Sequence, residues 1–95
     1  MYSFEWDENK NTINKAKHDV DFEESSTVFY DESALVEYDE EHSDQEDRFR
    51  ILGRSSYGNV LLVVHCIRQE SIIRIISARK ATSNEQKNYE RGIGL

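Results

Sequence analysis

Three apolar segments follow one another in the second half of the chain, at residues 48–54, 59–67 and 71–79. Only short polar connectors separate them, SSYG at 55–58 and RQE at 68–70. Segments of this length that are rich in Val, Ile and Leu are typical of β-strands, and such short connectors favour hairpins. Because consecutive strands joined by short turns pair antiparallel, the sequence predicts a β-meander.

The remaining elements can be placed by their end signals. The aromatic stretch 2–6 and residues 34–38 are typical of strands. Asp7 and Asp21 can cap helices, with Glu24 in the capping-box position of the second, and Thr82 with Glu85 forms a capping box before a last helix. The predicted order is β-α-α-β-β-β-β-α. This is a two-layer α+β fold in one domain, residues 1–95, with a mostly antiparallel sheet, two helices on one face and a C-terminal helix.

Strict alternation along the last strand divides its side chains between two sheet faces. One face would carry Ile72, Arg74, Ile76 and Ala78, and the other Ile73, Ile75, Ser77 and Arg79. Both sets are apolar near the middle. We therefore expect helices on one face, and cover from the last helix or a partner on the other.

The two halves of the chain differ sharply in charge. The net charge is −7, but residues 1–47 hold 16 acids and three Lys/Arg (net −13), whereas residues 48–95 hold three acids and nine Lys/Arg (net +6). The second half could present a basic surface to a partner. Alternatively, the two halves could neutralise each other as neighbours. The acidic segment 39–47 (DEEHSDQED) is expected to be a solvated loop.

Several classes of protein are disfavoured. The single cysteine excludes an internal disulfide and a multi-cysteine zinc site. The start MYSFEWDENK has neither the basic nor the apolar region of a secretory signal, and the apolar run 60–67 is too short to cross a membrane. We expect a cytosolic protein with no membrane association. The three histidines are widely spaced, so no metal site and no cofactor are predicted.

The stretch RIISARKAT (74–82) raises the question of what its cations do. Arg74 lies inside an Ile-rich strand, where a charge without a partner is costly. Arg79 ends the same strand just before a helix N-terminus, whose N–H groups can also hold a phosphate. The segment 48–54 alternates arginines with apolar residues. These arginines could form a phosphate-binding surface, or simply a solvated sheet face.

Five segments give the chain a resemblance to a known family. They are FEWDENK (4–10), NKAKHDVDFEESSTVFYD (14–31), HSDQEDRFRILGRS (42–55), LLVVH (61–65) and RIISARKATSNEQKNYE (74–90). Together they resemble the BrnT family of toxins from bacterial type II toxin–antitoxin pairs. Asp19 departs from the family pattern, which often has Gly after the Lys-His pair at 17–18.

The resemblance implies a RelE-like fold and a metal-independent ribonuclease that inhibits translation by cutting RNA, either free or on the ribosome. It also implies a BrnA-like ribbon-helix-helix antitoxin, and binding of operator DNA only through the toxin–antitoxin complex. The alternative is a catalytically inactive toxin-like module that only binds its antitoxin and helps to autoregulate the operon.

Metal-free RNA cleavage needs a base for the 2′-OH, cations for the phosphorane and an acid for the leaving oxygen. We assign Glu46 as the candidate base, and the arginine set Arg48, Arg74 and Arg79 as the phosphate clamp, because a guanidinium binds phosphate oxygens in pairs. The acid is His42 or His65. The candidate RNA contacts are Lys17, His18, Lys80 and Tyr89.

Each of these residues also has a purely structural interpretation. Glu46 could pair with Arg48 to fix a strand end, and His65 could be a satisfied core residue. His18 could be a favourable contact with a helix C-terminus. Tyr89 could be core packing, and the lysines could simply be solvated.

Overall fold

A five-stranded sheet organises the protein. The computed structural model describes all 95 residues. The strands are β1 (Ser3–Glu5), β2 (Leu35–Tyr38), β3 (Phe49–Arg54), β4 (Val60–Arg68) and β5 (Ile72–Lys80), and the helices are α1 (Glu8–His18), α2 (Phe22–Ser26) and α3 (Ser83–Arg91). Two 3₁₀ segments, Thr27–Tyr30 and Glu40–His42, complete the chain. The predicted element order is confirmed.

The sheet has the order β1-β5-β4-β3-β2. Strands β2 to β5 form the predicted antiparallel meander, and β1 pairs in parallel with β5 at the edge. Gln69 and Glu70 both have positive φ, 49° and 66°, in the tight turn between β4 and β5. Two left-handed residues in a row are what a two-residue hairpin turn of type I′ requires. The α+β prediction is therefore confirmed.

Helix ends agree with the sequence signals at two helices out of three. The Asp7 carboxylate caps α1, and Thr82 with Glu85 forms the capping box of α3. Asp21 caps α2, but the capping-box role expected of Glu24 is wrong. The Glu24 carboxylate instead accepts hydrogen bonds from Ser55 Oγ at 2.7 Å and Asn59 Nδ2 at 2.9 Å. It ties α2 to the β3–β4 turn.

The main core lies between the sheet and the first two helices. Its buried residues are Val20, Phe22, Val28, Ile51, Leu61, Val63, Ile75 and Ala78. Asn14 fastens α1 across this core, because its side-chain amide donates to the carbonyls of Val20 and Ala78 and accepts from the Ala78 N–H. We call this side of the sheet the helical face.

The opposite side, here called the open face, carries a second and smaller core. Leu52, Val60 and Leu62 are buried there beneath Tyr89 of α3 and the C-terminal Leu95. The last helix thus supplies cover for part of this face, as the sequence predicted. No helix of the fold is both long enough and apolar enough to span a membrane.

A β-bulge corrects the prediction for β5. Val64 pairs with Ser77 but His65 pairs with Ile75, so Ile76 is an extra residue in β5. One extra residue reverses the alternation beyond it. Ile75 and Ala78 consequently share the helical face. Arg74 and Arg79, expected on opposite faces, both lie on the open face.

Candidate active site

An open cleft of about 300 Å³ lies on the part of the open face that α3 leaves uncovered. Its floor is formed by residues of β4 and β5: Leu62, Val64, Ile76 and Ser77. Its charged walls are Asp39, His42, Arg48, Arg50 and Arg79. Alternation along β3 explains why Arg48 and Arg50 point the same way, and the bulge explains how Arg79 joins them.

The three cleft arginines differ in their partners. Arg79 makes a two-pronged pair with Glu85 of α3, at 2.8 and 3.0 Å. The hydrogen bonds between them raise the pKa of Arg79 and lower the pKa of Glu85. Arg50 pairs with Glu37 across β2 and β3, while its buried Nε lacks a partner. The Arg48 guanidinium makes no ion pair, so it is the cleft cation most available to an anion.

His42 stands at the rim of the cleft with a carboxylate behind it. Its Nδ1 lies 3.1 and 3.2 Å from the two carboxylate oxygens of Asp39. The Asp39 side chain is only 9% exposed, whereas that of His42 is 63% exposed. The other ring nitrogen, Nε2, has no hydrogen-bond partner in the protein. The site therefore presents one accessible imidazole nitrogen.

Glu46 lies outside this cleft but beside it. It lines an adjoining depression of about 260 Å³ together with His42 and Arg48. Its carboxylate is 3.3 Å from the guanidinium of Arg68. Glu46 precedes β3, which begins only at Phe49. His42 and Arg48 are thus shared by the two depressions.

Arg74 is on the open face but its charge is engaged. Its Nη1 lies 2.7 Å from a carboxylate oxygen of Glu5 on the neighbouring strand β1. The costly unpaired charge considered from sequence is therefore resolved by an ion pair. Arg74 does not line the cleft.

His65 is not brought together with the arginines. Alternation places it on the helical face, where its ring meets Phe29 edge-on at 4.8 Å and stacks on Phe49 at 5.8 Å. Burial lowers the pKa of His65 to about 4, and its Nδ1 lacks a hydrogen-bond partner. It lies in the core and cannot reach an RNA in the cleft.

The four candidate RNA contacts are also separate from the cleft. Lys17 and His18 are exposed at the end of α1, on the helical side. Lys80 is paired with Leu61 and points to the same side. The Tyr89 hydroxyl donates to Asp31 at 2.5 Å. Its ring lies 5.6 Å from the Arg54 guanidinium, so Tyr89 fastens α3 to the sheet.

Sequence reasoning left out two residues that the fold brings to the site, Arg50 and Asp39. Arg50 could have been selected, because it alternates with Arg48 on the same strand face. Asp39 gave no such signal, since it is one of many acids in its loop and only the 3₁₀ turn brings it to His42. No group of three or more His, Cys, Asp or Glu side chains is positioned to hold a metal ion.

The fold and the cleft define a small α+β protein with three arginines gathered on one sheet face. The family model for BrnT, the ribonuclease toxin of type II toxin–antitoxin systems, matches residues 6–85. The chain therefore belongs to the BrnT family, and the resemblance seen in its sequence is confirmed. A toxin of this kind has an antitoxin as its partner.

A solved structure supports the assignment. The chain is similar to the Brucella abortus ribonuclease toxin BrnT, with 25% sequence identity and a TM-score of 0.66. The match covers 87% of this chain and 100% of the Brucella chain. No curated protein sequence matches significantly. The RelE-like assignment of the fold stays a prediction.

Proposed function

We propose that this toxin is an endoribonuclease that cleaves RNA in the open-face cleft without a metal ion, and so inhibits translation. The observation that carries the proposal is the unpaired Arg48 guanidinium beside an accessible histidine nitrogen, with Arg50 and Arg79 in the same cleft. Guanidinium groups bind phosphate oxygens in pairs and stabilise the charge that develops in phosphoryl transfer.

The proposed chemistry begins with the scissile phosphate on Arg48. Arg50 and Arg79 join it by exchanging an internal carboxylate for phosphate oxygens, which shields the negative phosphorane. The 2′-oxygen attacks in line and bonds to phosphorus, and the bond from phosphorus to the 5′-oxygen breaks. One proton leaves the 2′-OH and one reaches the departing 5′-oxygen, and His42 transfers one of these two protons. All of these groups lie on one strand face or at its rim.

Glu46 is the candidate for the second proton transfer. It lines the adjoining depression with His42 and Arg48, so an RNA that crosses both depressions would have its phosphate between Glu46 and His42. Glu46 would have to leave Arg68, with which it pairs at 3.3 Å. That exchange is inexpensive, because exposed ion pairs contribute only about 0–1 kcal/mol. We leave the roles of base and acid open between them.

Arg74 has a secondary role in the proposal, because its guanidinium is already paired with a carboxylate. It lies on the open face outside the cleft and would contact RNA only after releasing Glu5. We place His65, Lys17, His18, Lys80 and Tyr89 outside the proposed site, because they lie in cores or on the helical side.

The proposed partner is a BrnA-like ribbon-helix-helix antitoxin, which would also carry the complex to operator DNA. Five large apolar side chains on the helical face support a protein partner: Tyr2, Tyr30, Val36, Tyr38 and Ile67, each at least 46% exposed. Exposed apolar surface of this extent is typical of interaction sites. These five side chains lie on the helical face, whereas the sequence led us to expect the exposed apolar surface on the other face of the sheet.

The inactive toxin-like module remains the second candidate. It is favoured by the ion pairs that engage Arg50, Arg74 and Arg79 with the chain's own carboxylates. A chain that keeps its arginines for such pairs would bind RNA poorly.

The test compares the parent chain with Arg48→Ala and, as the matched control, Arg91→Ala, which removes an exposed arginine at the end of α3. Each is induced in bacteria, and growth and RNA integrity are followed; the purified proteins are assayed on RNA with and without EDTA. We expect the parent and Arg91→Ala to arrest growth and fragment RNA, with EDTA having no effect, and Arg48→Ala to do neither. Intact RNA with all three folded proteins would select the inactive module.

A further inference from the structure

We propose that Asp39 is a positioning residue that fixes the orientation and the proton arrangement of the His42 imidazole. The inference rests on the proposed function, because His42 has a proton to transfer only if RNA is cleaved in the open-face cleft. It goes further in naming a carboxylate that acts through the histidine without contacting RNA.

The first support is the contact itself. Both carboxylate oxygens of Asp39 lie within 3.2 Å of His42 Nδ1, so whichever oxygen accepts, Nδ1 faces a carboxylate. A carboxylate accepts hydrogen bonds only, and the neutral imidazole must therefore carry its proton on Nδ1. Nε2 is then an acceptor and points away from Asp39. This is the form in which a histidine can take a proton from a hydroxyl.

The second support is the difference in burial. Asp39 is 7% exposed in a loop otherwise made of solvated acids, and its side chain has His42 as its only hydrogen-bond partner. Burial of a carboxylate is costly unless its oxygens are used. Arg48 and Arg50 line the cleft with Asp39, and their positive charges offset the cost of burying its carboxylate.

The third support is the way the turn is held. The Asp39 N–H donates to the Arg48 carbonyl at 2.8 Å. The Ser43 hydroxyl donates to the Asp39 carbonyl at 2.5 Å and accepts from the Arg48 N–H at 3.0 Å. Backbone groups and the Ser43 hydroxyl therefore anchor the turn to the start of β3. The Asp39 carboxylate is free for His42, and replacing it with an amide leaves these anchors in place.

Other charges also face His42 and would affect its titration. In the cleft they are Asp39, Arg48, Arg50 and Arg79, and in the adjoining depression they are Glu41, Asp44, Glu46 and Arg48. Any pH effect must therefore be read as a difference between matched variants.

The experiment uses the whole 95-residue chain and the variant Asp39→Asn, with Glu40→Gln as a control that changes an exposed acid of the same loop. Cleavage of an RNA oligonucleotide is measured from pH 5 to 9. We expect Asp39→Asn to lower kcat at least tenfold with a smaller change in KM, because an amide can donate to Nδ1 and favour the wrong tautomer. We also expect the limb of the pH–rate profile that reports His42 to move. Glu40→Gln should change neither.

Coupling provides the second readout. His42→Ala and the double variant Asp39→Asn/His42→Ala should have equal activity, since Asp39 acts only through His42. If Asp39→Asn reduces activity by the same factor with and without His42, Asp39 has a separate structural role and the inference is wrong.

A third readout does not depend on ribonuclease activity. The ring ¹⁵N shifts of His42 in the full chain report its tautomer at neutral pH. We expect protonated Nδ1 in the parent and a change of tautomer in Asp39→Asn. Identical ring shifts in the two proteins would overturn the inference. A tautomer change in a chain that cuts no RNA would leave the pair intact and refute the proposed function instead.

Discussion

Whether the Arg48 guanidinium is free to bind an anion depends on residues that are distant from it in sequence. Alternation along β3 could predict that Arg48 and Arg50 share a face. It could not predict that Glu37 forms an ion pair with Arg50 while Arg48 stays unpaired. The Glu37–Arg50 pair joins residues 13 positions apart, and it depends on the register of two strands. Arg74 and Glu5, 69 positions apart, illustrate the same limit. For Arg48 and Arg50, the shared face was readable from the sequence, but the pairing was not.

His65 gives a prediction about stability and pH. Its folded pKa is lowered to about 4 from the ordinary 6.5, because burial disfavours the charged ring. Between these two values the unfolded chain binds the proton and the folded chain does not, so stability falls as the pH falls from 6.5 to 4. A shift of this size corresponds to up to about 3 kcal/mol. We expect His65→Phe, which keeps an aromatic ring between Phe29 and Phe49, to remove this part of the acid sensitivity.

The measurement is urea unfolding at pH 7 and pH 4.5 for the parent, His65→Phe and the control His18→Gln. Carboxylates contribute their own pH dependence, and the comparison subtracts it. The control changes an exposed histidine and should lose as much stability as the parent. If His65→Phe is equally acid-sensitive, the buried ring is already protonated in the folded protein and our assignment is wrong.

At the scale of elements, local signals succeeded where one segment decides the outcome. The caps at Asp7 and Thr82 and the order of the strands were predictable for this reason. The bulge in β5 was not predictable, because the isoleucine at position 76 does not by itself indicate an extra residue. The position of the bulge depends on how β4 and β5 pair. Since that bulge turns Arg79 toward the cleft, the sequence could name two of the three cleft arginines, Arg48 and Arg79, but could not predict that they lie together.

Asp19 provides a prediction for the turn after α1. It has φ 57°, in the left-handed region, and its N–H donates to the Lys15 carbonyl at 2.9 Å. Glycine is the favoured residue at such a helix end, because it has no Cβ to strain the backbone. We expect Asp19→Gly to stabilise the protein by about 0.5–1 kcal/mol and to raise Tm by a few degrees. Ala16→Gly, inside α1, is the control and should destabilise by about 1 kcal/mol. A lower Tm for Asp19→Gly would show that the aspartate side chain has a stabilising role of its own.

Glu85 connects α3 to the cleft through two separate roles. Its carboxylate accepts from the Thr82 N–H in the capping box, and it holds Arg79 at 2.8 Å. Glutamine can still complete a capping box but cannot neutralise an arginine. We therefore expect Glu85→Gln to keep the helix and tighten RNA binding by up to about fivefold, the effect of releasing one partly exposed ion pair. Fluorescence anisotropy with a labelled RNA is the measurement. Glu90→Gln on the same helix is the control, and an equal gain there would mean that only net charge matters.

For the molecule as a whole, the division of charge between the two halves is partly neutralised inside the fold. Glu5, Glu37 and Glu46 come from the acidic half, and each pairs with an arginine from the basic half. The interpretation that the halves neutralise each other is therefore correct for three of the seven arginines. What remains is a narrow cationic cleft in a protein of net charge −7. Under the proposed function, such a molecule would attract RNA only at short range, since screened repulsion from the acidic surface dominates further away.

This balance predicts how RNA binding responds to salt. Single-stranded RNA releases counterions when cations contact its phosphates, and the logarithm of the affinity falls with the logarithm of salt concentration by about 0.7 per contact. Three arginines in the cleft predict a slope of about −2, which is much shallower than the slope for a protein with an extended basic surface. Arg48→Ala should flatten the slope by about 0.7, whereas Arg91→Ala should leave it unchanged because Arg91 is remote in the proposal. The measurement is a series of RNA-binding titrations at KCl concentrations between about 50 and about 300 mM. A slope that Arg48→Ala does not alter would place the bound phosphates somewhere other than the open-face cleft.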